Sequence, residues 1–441
     1  MINVRELIGN PQLIEEMRSN IIARNSNGDV DEVVRLYGEQ LSSNRRVAQL
    51  RTQANANATE TRSAEGAERQ RFIEAGRALK EQISAETEQG KPVTKAFQEA
   101  AMRLPNWMSP DVPRGSSDAD NNVVATFLQP TRFDFTPKDH LQLGKKLDLI
   151  DFERGAKVAG PKFYFLKNEM VLLQHAIKSY AFRKAIEHGF KCLHTPDVAK
   201  NSVLQGIGFS PRGSESNTYE LQGEDMSLVA TAEIAVGGMH ANDVFNADDL
   251  PLLYAAESHC FRREAGQAGR SSKGLYRVHQ FEKVELFAFS TPSQSARVHE
   301  QIRSLEEEIY QDLRLPYRVV LNCAGDLGAP AYKKYDIEAW MPGKDEGGAY
   351  GEVTSASNCT DYQSRRLNIR FKDLASGKTD FVHTLNGTAV ALSRTLVAIM
   401  ENYQTRDGGI RIPEPLVPYM GMSEITPKAK RHTSQAKGCR L

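Results

Sequence analysis

A chain of 441 residues with 56 Lys+Arg against 56 Asp+Glu carries no net charge, so any nucleic-acid contact must be a local patch. Five scattered cysteines (Cys192, Cys260, Cys323, Cys359 and Cys439) show no CxxC or Cys/His spacing, which argues against a disulfide framework or structural zinc and fits a reducing compartment. No apolar run reaches the ~18 residues of a membrane span, and the start, with Glu6, Glu15 and Glu16, lacks the apolar stretch of a secretory signal. Residues 1–31 read as a short helical start on Val4, Leu7, Ile8, Leu13 and Met17. Residues 32–100 are rich in Ala, Glu, Gln and Arg. Val33, Val34, Leu36, Tyr37, Leu41, Val47 and Leu50 give one helical stripe, and Phe72, Ile73, Leu79 and Ile83 a second. The weakly apolar stretch 55–66 reads as the turn between them, making an antiparallel helical hairpin. By itself this is a solvated oligomerisation hairpin more readily than an RNA-binding one.

Pro105, Pro110, Pro113, Pro130 and Pro137, with Gly115, Ser116 and Ser117, mark 105–137 as a linker. From 138 the pattern is mixed. Residues 163–166 read as a strand, 169–188 as a helix and 191–195 as a strand. Residues 298–313 and 390–403 read as helices, the latter after a strand near 381–385. No glycine-rich phosphate loop of Rossmann or Walker type occurs. Residues 421–441 read as a basic, flexible tail. Its end, Cys439-Arg440-Leu441, is only a distant match to a peroxisomal address.

The most informative stretch is 259–289. Cys260-Phe261-Arg262-Arg263-Glu264 opens it, a glycine-rich loop from Gly266 to Gly274 follows, and 278–289 alternates. That is strand, long loop, strand, with charges inside both strands. An arginine fixed on a strand can fork onto a phosphate with two parallel hydrogen bonds. The run resembles the second signature motif of class II aminoacyl-tRNA synthetases. Its closing half, from Gly274-Leu275-Tyr276-Arg277-Val278 to Glu285, resembles the seryl-tRNA synthetase family in particular. The resemblance extends along nearly the whole chain, from Val4-Arg5-Glu6-Leu7 through Asp139-His140-Leu141 to Pro413-Glu414-Pro415. Three further segments match in order: Ala230-Thr231-Ala232-Glu233, Gly351-Glu352-Val353-Thr354-Ser355, and Thr384-Leu385-Asn386-Gly387-Thr388 through to Arg394. Ala235 stands where the family usually has proline, and Ser393 where many members have glycine.

The resemblance implies an α+β fold, a mainly antiparallel class II sheet flanked by helices. An N-terminal domain (1–104) would carry the hairpin arm, and a catalytic domain would span 138–420. The implied activity is ATP-dependent serine–tRNA ligation. Arg262 and Arg394 are the implied catalytic pair, on the α- and γ-phosphates. The implied ATP site comprises Arg262, Arg263, Glu264, Val278, Glu352, Val353, Thr354, Ser355 and Arg394, with Mg²⁺ on Glu352 and Ser355. The implied serine site comprises Thr231, Glu233, Arg262, Glu285, Asn386 and Thr388. Arg270 and Lys273 would reach the acceptor end of tRNA(Ser). Arg45, Arg46, Arg51, Arg62, Arg69 and Arg71 on the hairpin would meet its phosphates. Residues 189–196 fit the first class II motif, implying a homodimer. Read alone, Thr231 would be a helix N-cap and Arg394 a surface arginine. The competing reading is a catalytically silent paralogue acting as an RNA-binding or scaffold protein. A ligase for another amino acid is a third. Cytoplasmic service is expected, with mitochondrial service as the alternative.

Overall fold

The computed structural model describes residues 2–209, 217–264 and 273–427. The chain forms two compact units, 1–108 and 109–441.

The first unit is all helical: α1 (Val4–Gly9), α2 (Pro11–Ala23), α3 (Val30–Ser63) and α4 (Gly66–Arg103). Helix starts follow from side chains that satisfy orphan amides. Asn10 accepts from Gln12 N with Pro11 in the first turn, and Asp29 accepts from Asp31 N and Glu32 N. Leu7, Met17, Val30, Val33, Leu36, Phe97 and Ala101 form a small core at the root of the hairpin. Beyond it no residue from 44 to 96 is fully buried. There the helices are held largely by polar bridges: Arg46 to Glu86 at 2.7 Å, and Asn57 Nδ2 donating to the Phe72 carbonyl at 2.8 Å. The turn expected over 55–66 is much shorter. The chain stays helical to Ser63 and restarts at Gly66, whose φ of +58° glycine adopts without strain. A missing apolar stripe meant a solvated face, not a break, because no Gly or Pro stands between 55 and 65.

The second unit is built on an eight-stranded sheet. Its strands are β1 (Asn122–Phe127), β2 (Lys191–His194), β3 (Leu252–Phe261), β4 (Gln280–Ser290), β5 (Tyr317–Leu321), β6 (Lys333–Met341), β7 (Ala349–Asn358) and β8 (His383–Ala391). The order is β1-β5-β6-β7-β8-β4-β3-β2, antiparallel throughout except between β2 and β3. The helices that matter here are α5 (His140–Leu147), α6 (Glu169–Glu187), α7 (Ala232–Met239), α8 (Ser295–Asp312) and α9 (Leu392–Asn402). Helix α8 packs on β7 and β8, and α9 on β4 and β6. Val298, Ile302, Leu305 and Ile309 of α8 face Leu286, Leu385 and Ala356 in one core. Each large side chain buried there contributes about 1.5–3 kcal/mol relative to exposure.

Two further expectations need correction. The stretch 105–137 is more than a linker: its Asn-Val-Val-Ala-Thr-Phe segment is β1, an edge strand on β5. The prolines that flank it stand outside the strand and so leave its ladder intact. In the tail, Glu424–Ile425 pairs with Ile410–Arg411, because Ile425 is buried in the core. Residues 428–441, including Cys439, lie outside the described residues.

Candidate active site

The site begins where the sheet parts. Strands β7 and β8 pair only from Ala356↔Gly387 to Asn358↔Leu385. Past that point each runs on with its other neighbour, and each register shifts there. The β6–β7 shift falls at Ile337/Glu338, opposite Val353, and the β8–β4 shift falls just after Thr388. Such bulges re-aim side chains. Here they open a cavity of about 420 Å³ lined by Arg262, Glu264, Val278, Glu352, Val353, Thr354, Ser355, Thr388 and Arg394.

Arg262 follows the last residue of β3. Its guanidinium stacks on the Phe281 ring of β4 at 5.3 Å, and its Nε donates to the Ala230 carbonyl at 3.4 Å. Glu264 sits at φ +51° and accepts from Arg277 at 3.0 Å. Arg394 lies in the first turn of α9. It donates to the Tyr276 and Glu352 carbonyls at 3.3 and 3.0 Å, with its guanidinium 4.8 Å over the Tyr276 ring. Its Nη1 is 3.2 Å from the Glu352 carboxylate. Burial alone would raise that carboxyl's pKa. The charges of Arg394, Lys334 and Arg262 outweigh it and bring it down to about 2, so Glu352 is ionised.

Beside the cavity lies a buried polar layer. Lys283 and Glu285, two residues apart on β4, point the same way and form an ion pair. The Lys283 ammonium also donates to the Thr388 hydroxyl at 3.5 Å. Glu233 Oε1 accepts from Asn386 Nδ2 at 2.8 Å and Gln363 Nε2 at 2.7 Å. Burial, with the Glu285 charge adding to it, pushes the Glu233 pKa up to about 7. Burial raises Glu285 as well, while Lys283 pulls it back. Thr231 does cap α7, accepting from Glu233 N at 3.2 Å, so the cap and the site coincide. The two residues therefore stand at a helix start.

Arg263 is exposed and does not line the cavity. Lys273 is exposed and pairs with Asp139 at 2.7 Å; Arg270 lies outside the described residues. Sequence reasoning passed over Lys283, Lys334, Tyr276 and Phe281, all of which line the cavity. Strand alternation was the available signal for Phe281 and Lys283, which share a face with Glu285.

The mainly antiparallel sheet presents two fixed arginines and one ionised carboxylate to a common cavity, in keeping with the class II aminoacyl-tRNA synthetase core that the sequence resemblance implied. Residues 218–403 match the tRNA synthetase class II core domain (G, H, P, S and T), and residues 1–108 match the seryl-tRNA synthetase N-terminal domain. The chain belongs to the seryl-tRNA synthetase family. It is 52% identical to the serine–tRNA ligase of Treponema denticola over 93% of this chain and 97% of that one. The seryl-tRNA synthetase of Pyrococcus horikoshii, solved with ATP, superposes with a TM-score of 0.87 at 39% identity, covering 97% of this chain and 100% of that one. The cytoplasmic serine–tRNA ligase of Naegleria fowleri, solved with AMP, gives 0.82 at 31% identity, covering 97% and 98%.

Proposed function

We propose that this chain activates L-serine with ATP to seryl-adenylate and passes the seryl group to tRNA(Ser). The observation that carries the reading is the meeting of Arg262, Arg394, Glu352 and Thr388 at one cavity, with Glu285 and Glu233 in the layer beside it. A silent paralogue would have no need to keep that set together.

The serine carboxylate attacks the α-phosphorus and is already a nucleophile, so no protein base is required. What the chain supplies is alignment and charge neutralisation. Arg262 takes the α-phosphate and the serine carboxylate, and Arg394 the γ-phosphate. Glu264, Val278 and residues 352–355 frame the rest of ATP. Glu352 and Ser355 would hold Mg²⁺: both are hard oxygen donors, and Glu352 is ionised. Bound there, the ion would neutralise the phosphates. Thr231 and Glu233 hold the serine ammonium, Asn386 supports Glu233, and Glu285 with Thr388 reads the hydroxyl. The hairpin α3–α4 contacts the tRNA, mainly at phosphates. A second copy pairs along the edge strand β2 and helix α6, where Val171, Leu172 and Ile186 stand exposed. No helix among the described residues is long and apolar enough to cross a membrane. The enzyme serves in the cytoplasm.

Serine-dependent ATP–pyrophosphate exchange tests the reading directly: if no amino acid supports exchange while tRNA still binds, the silent paralogue stands. Selectivity tests Glu285. Glycine and alanine are smaller than serine, so only the hydroxyl can reject them. A pocket built to pair a hydroxyl leaves buried polar groups unsatisfied without it, worth roughly 10⁴-fold. Glu285→Gln removes the charged acceptor and should cut exchange with serine by about 10²-fold while sparing alanine. Melting should drop too, since Lys283 loses its partner. Equal losses for both amino acids would mean that Glu285 supports the site without reading the hydroxyl.

A pH profile tests Glu233. Holding an ammonium requires the carboxylate, and in the free protein this carboxyl stays protonated up to about pH 7. Serine binding must then expel a proton below that pH. The KM for serine should rise nearly tenfold for each pH unit below 7 and level off above it. A KM that is flat between pH 6 and 8 would rule this out.

A further inference from the structure

Behind the cavity wall lies a carboxyl that the scheme above does not use. Glu306 of α8 is fully buried, next to Leu305 and one turn on from Ile302. Its Oε2 accepts from the Thr354 hydroxyl at 2.8 Å, while its Oε1 is buried without a hydrogen-bond partner. The Thr388 backbone amide lies near enough to favour its charged form. The approach to β8 is so close that a Cβ on Gly387 would meet Oε1 at 2.5 Å and Ile302 at 2.3 Å, so glycine is required there.

An apolar residue would fill this part of the core at less cost. The carboxyl adds one thing that leucine could not: a polar hold on Thr354 at the gap where β7 and β8 part. Thr354 stands beside the β7 bulge and Thr388 just before the β8 bulge. Neither strand is held by the other past Ala356 and Gly387. We propose that Glu306 is a positioning residue for serine activation, bonded to Thr354 on one side of the gap and set against Gly387, next to Thr388, on the other, and so fixing the width of the gap that receives serine. This rests on reading Thr388 as a wall of the serine pocket.

Burial pushes the Glu306 pKa well above its ordinary value, and the charges of Glu285 and Asp336 add to it against the hydrogen bond from Thr354. A raised pKa favours the neutral form, so a neutral isostere with a carbonyl oxygen should replace it. Glu306→Gln should therefore keep the KM values for serine and ATP within about threefold of the parent in pyrophosphate exchange. Glu306→Leu keeps the bulk but loses the acceptor. It should raise the KM for serine about tenfold or more and that for ATP much less. Should the leucine variant not fold, Thr354→Val carries the test, because it removes only the hydroxyl; its serine KM should still rise several-fold. An unchanged serine KM in the folded leucine or valine variant overturns the proposal. So does a glutamine variant as damaged as the leucine one. Absence of serine-dependent exchange in the parent protein would instead remove the functional reading itself.

Discussion

Replacing Arg394 by alanine should slow seryl-adenylate formation by about 10²–10³-fold, equivalent to about 3–4 kcal/mol of barrier. The magnitude follows from how the side chain is held. Its guanidinium is fixed before any substrate arrives, by the Tyr276 and Glu352 carbonyls and by the Tyr276 ring. A preorganised charge acts on the transition state without the cost of ordering it, and a buried one is weakly screened. Alanine also takes away the nearest cation from Glu352, so that carboxyl's pKa should rise from about 2. Arg394→Lys should fall between parent and alanine, since it keeps the charge and loses the fork. Single-turnover adenylate formation separates this step from product release. A loss under tenfold in the alanine variant would sink the assignment. Arg262, stacked on Phe281, is expected to behave alike.

Shortening the hairpin should leave serine-dependent exchange nearly unchanged and lower aminoacylation of tRNA(Ser) by at least about 10²-fold, because the phosphate contacts are lost. The cut must respect the root. Val33, Leu36, Phe97 and Ala101 belong to the first unit's core, so removing all of 32–100 would unfold it. Gln40 and Thr94 face each other across the pair at 3.3 Å, which makes them the points to join by a short glycine-rich turn. Binding of tRNA to the intact chain should weaken steeply with salt. If the shortened, folded protein loses exchange as well, the hairpin takes part in adenylate chemistry or in holding the catalytic unit together.

Much of this was legible beforehand, and for identifiable reasons. Residues 298–313 announced α8 because Val298, Ile302, Leu305 and Ile309 keep helical spacing, and 278–289 announced β4 because its residues alternate. Arg262, Glu285, Glu352 and Arg394 came from motif resemblance, not periodicity. The parting of β7 from β8 was not legible, because a bulge depends on which strand lies alongside. Glu306 was hidden for a related reason. In Leu-Glu-Glu-Glu-Ile it looks like one more solvated acid, and only the fold shows which of the three turns inward. The strand at 122–127 carried no proline and was masked by the prolines around it.

The absence of any fully buried residue from 44 to 96 bears on how the protein can change over time. Substitutions at solvated helical positions generally shift stability by no more than about 0.5 kcal/mol. Most of the hairpin can therefore drift in sequence without passing through unfolded intermediates, provided that its few polar bridges survive. If the hairpin meets the tRNA as proposed, a change in that nucleic acid can be answered by surface replacements on this segment alone. The sheet that carries the chemistry has no such latitude, since its charged residues are interlocked and buried. Adaptation of recognition and preservation of catalysis thus fall on different stretches of one chain, and neither constrains the pace of the other.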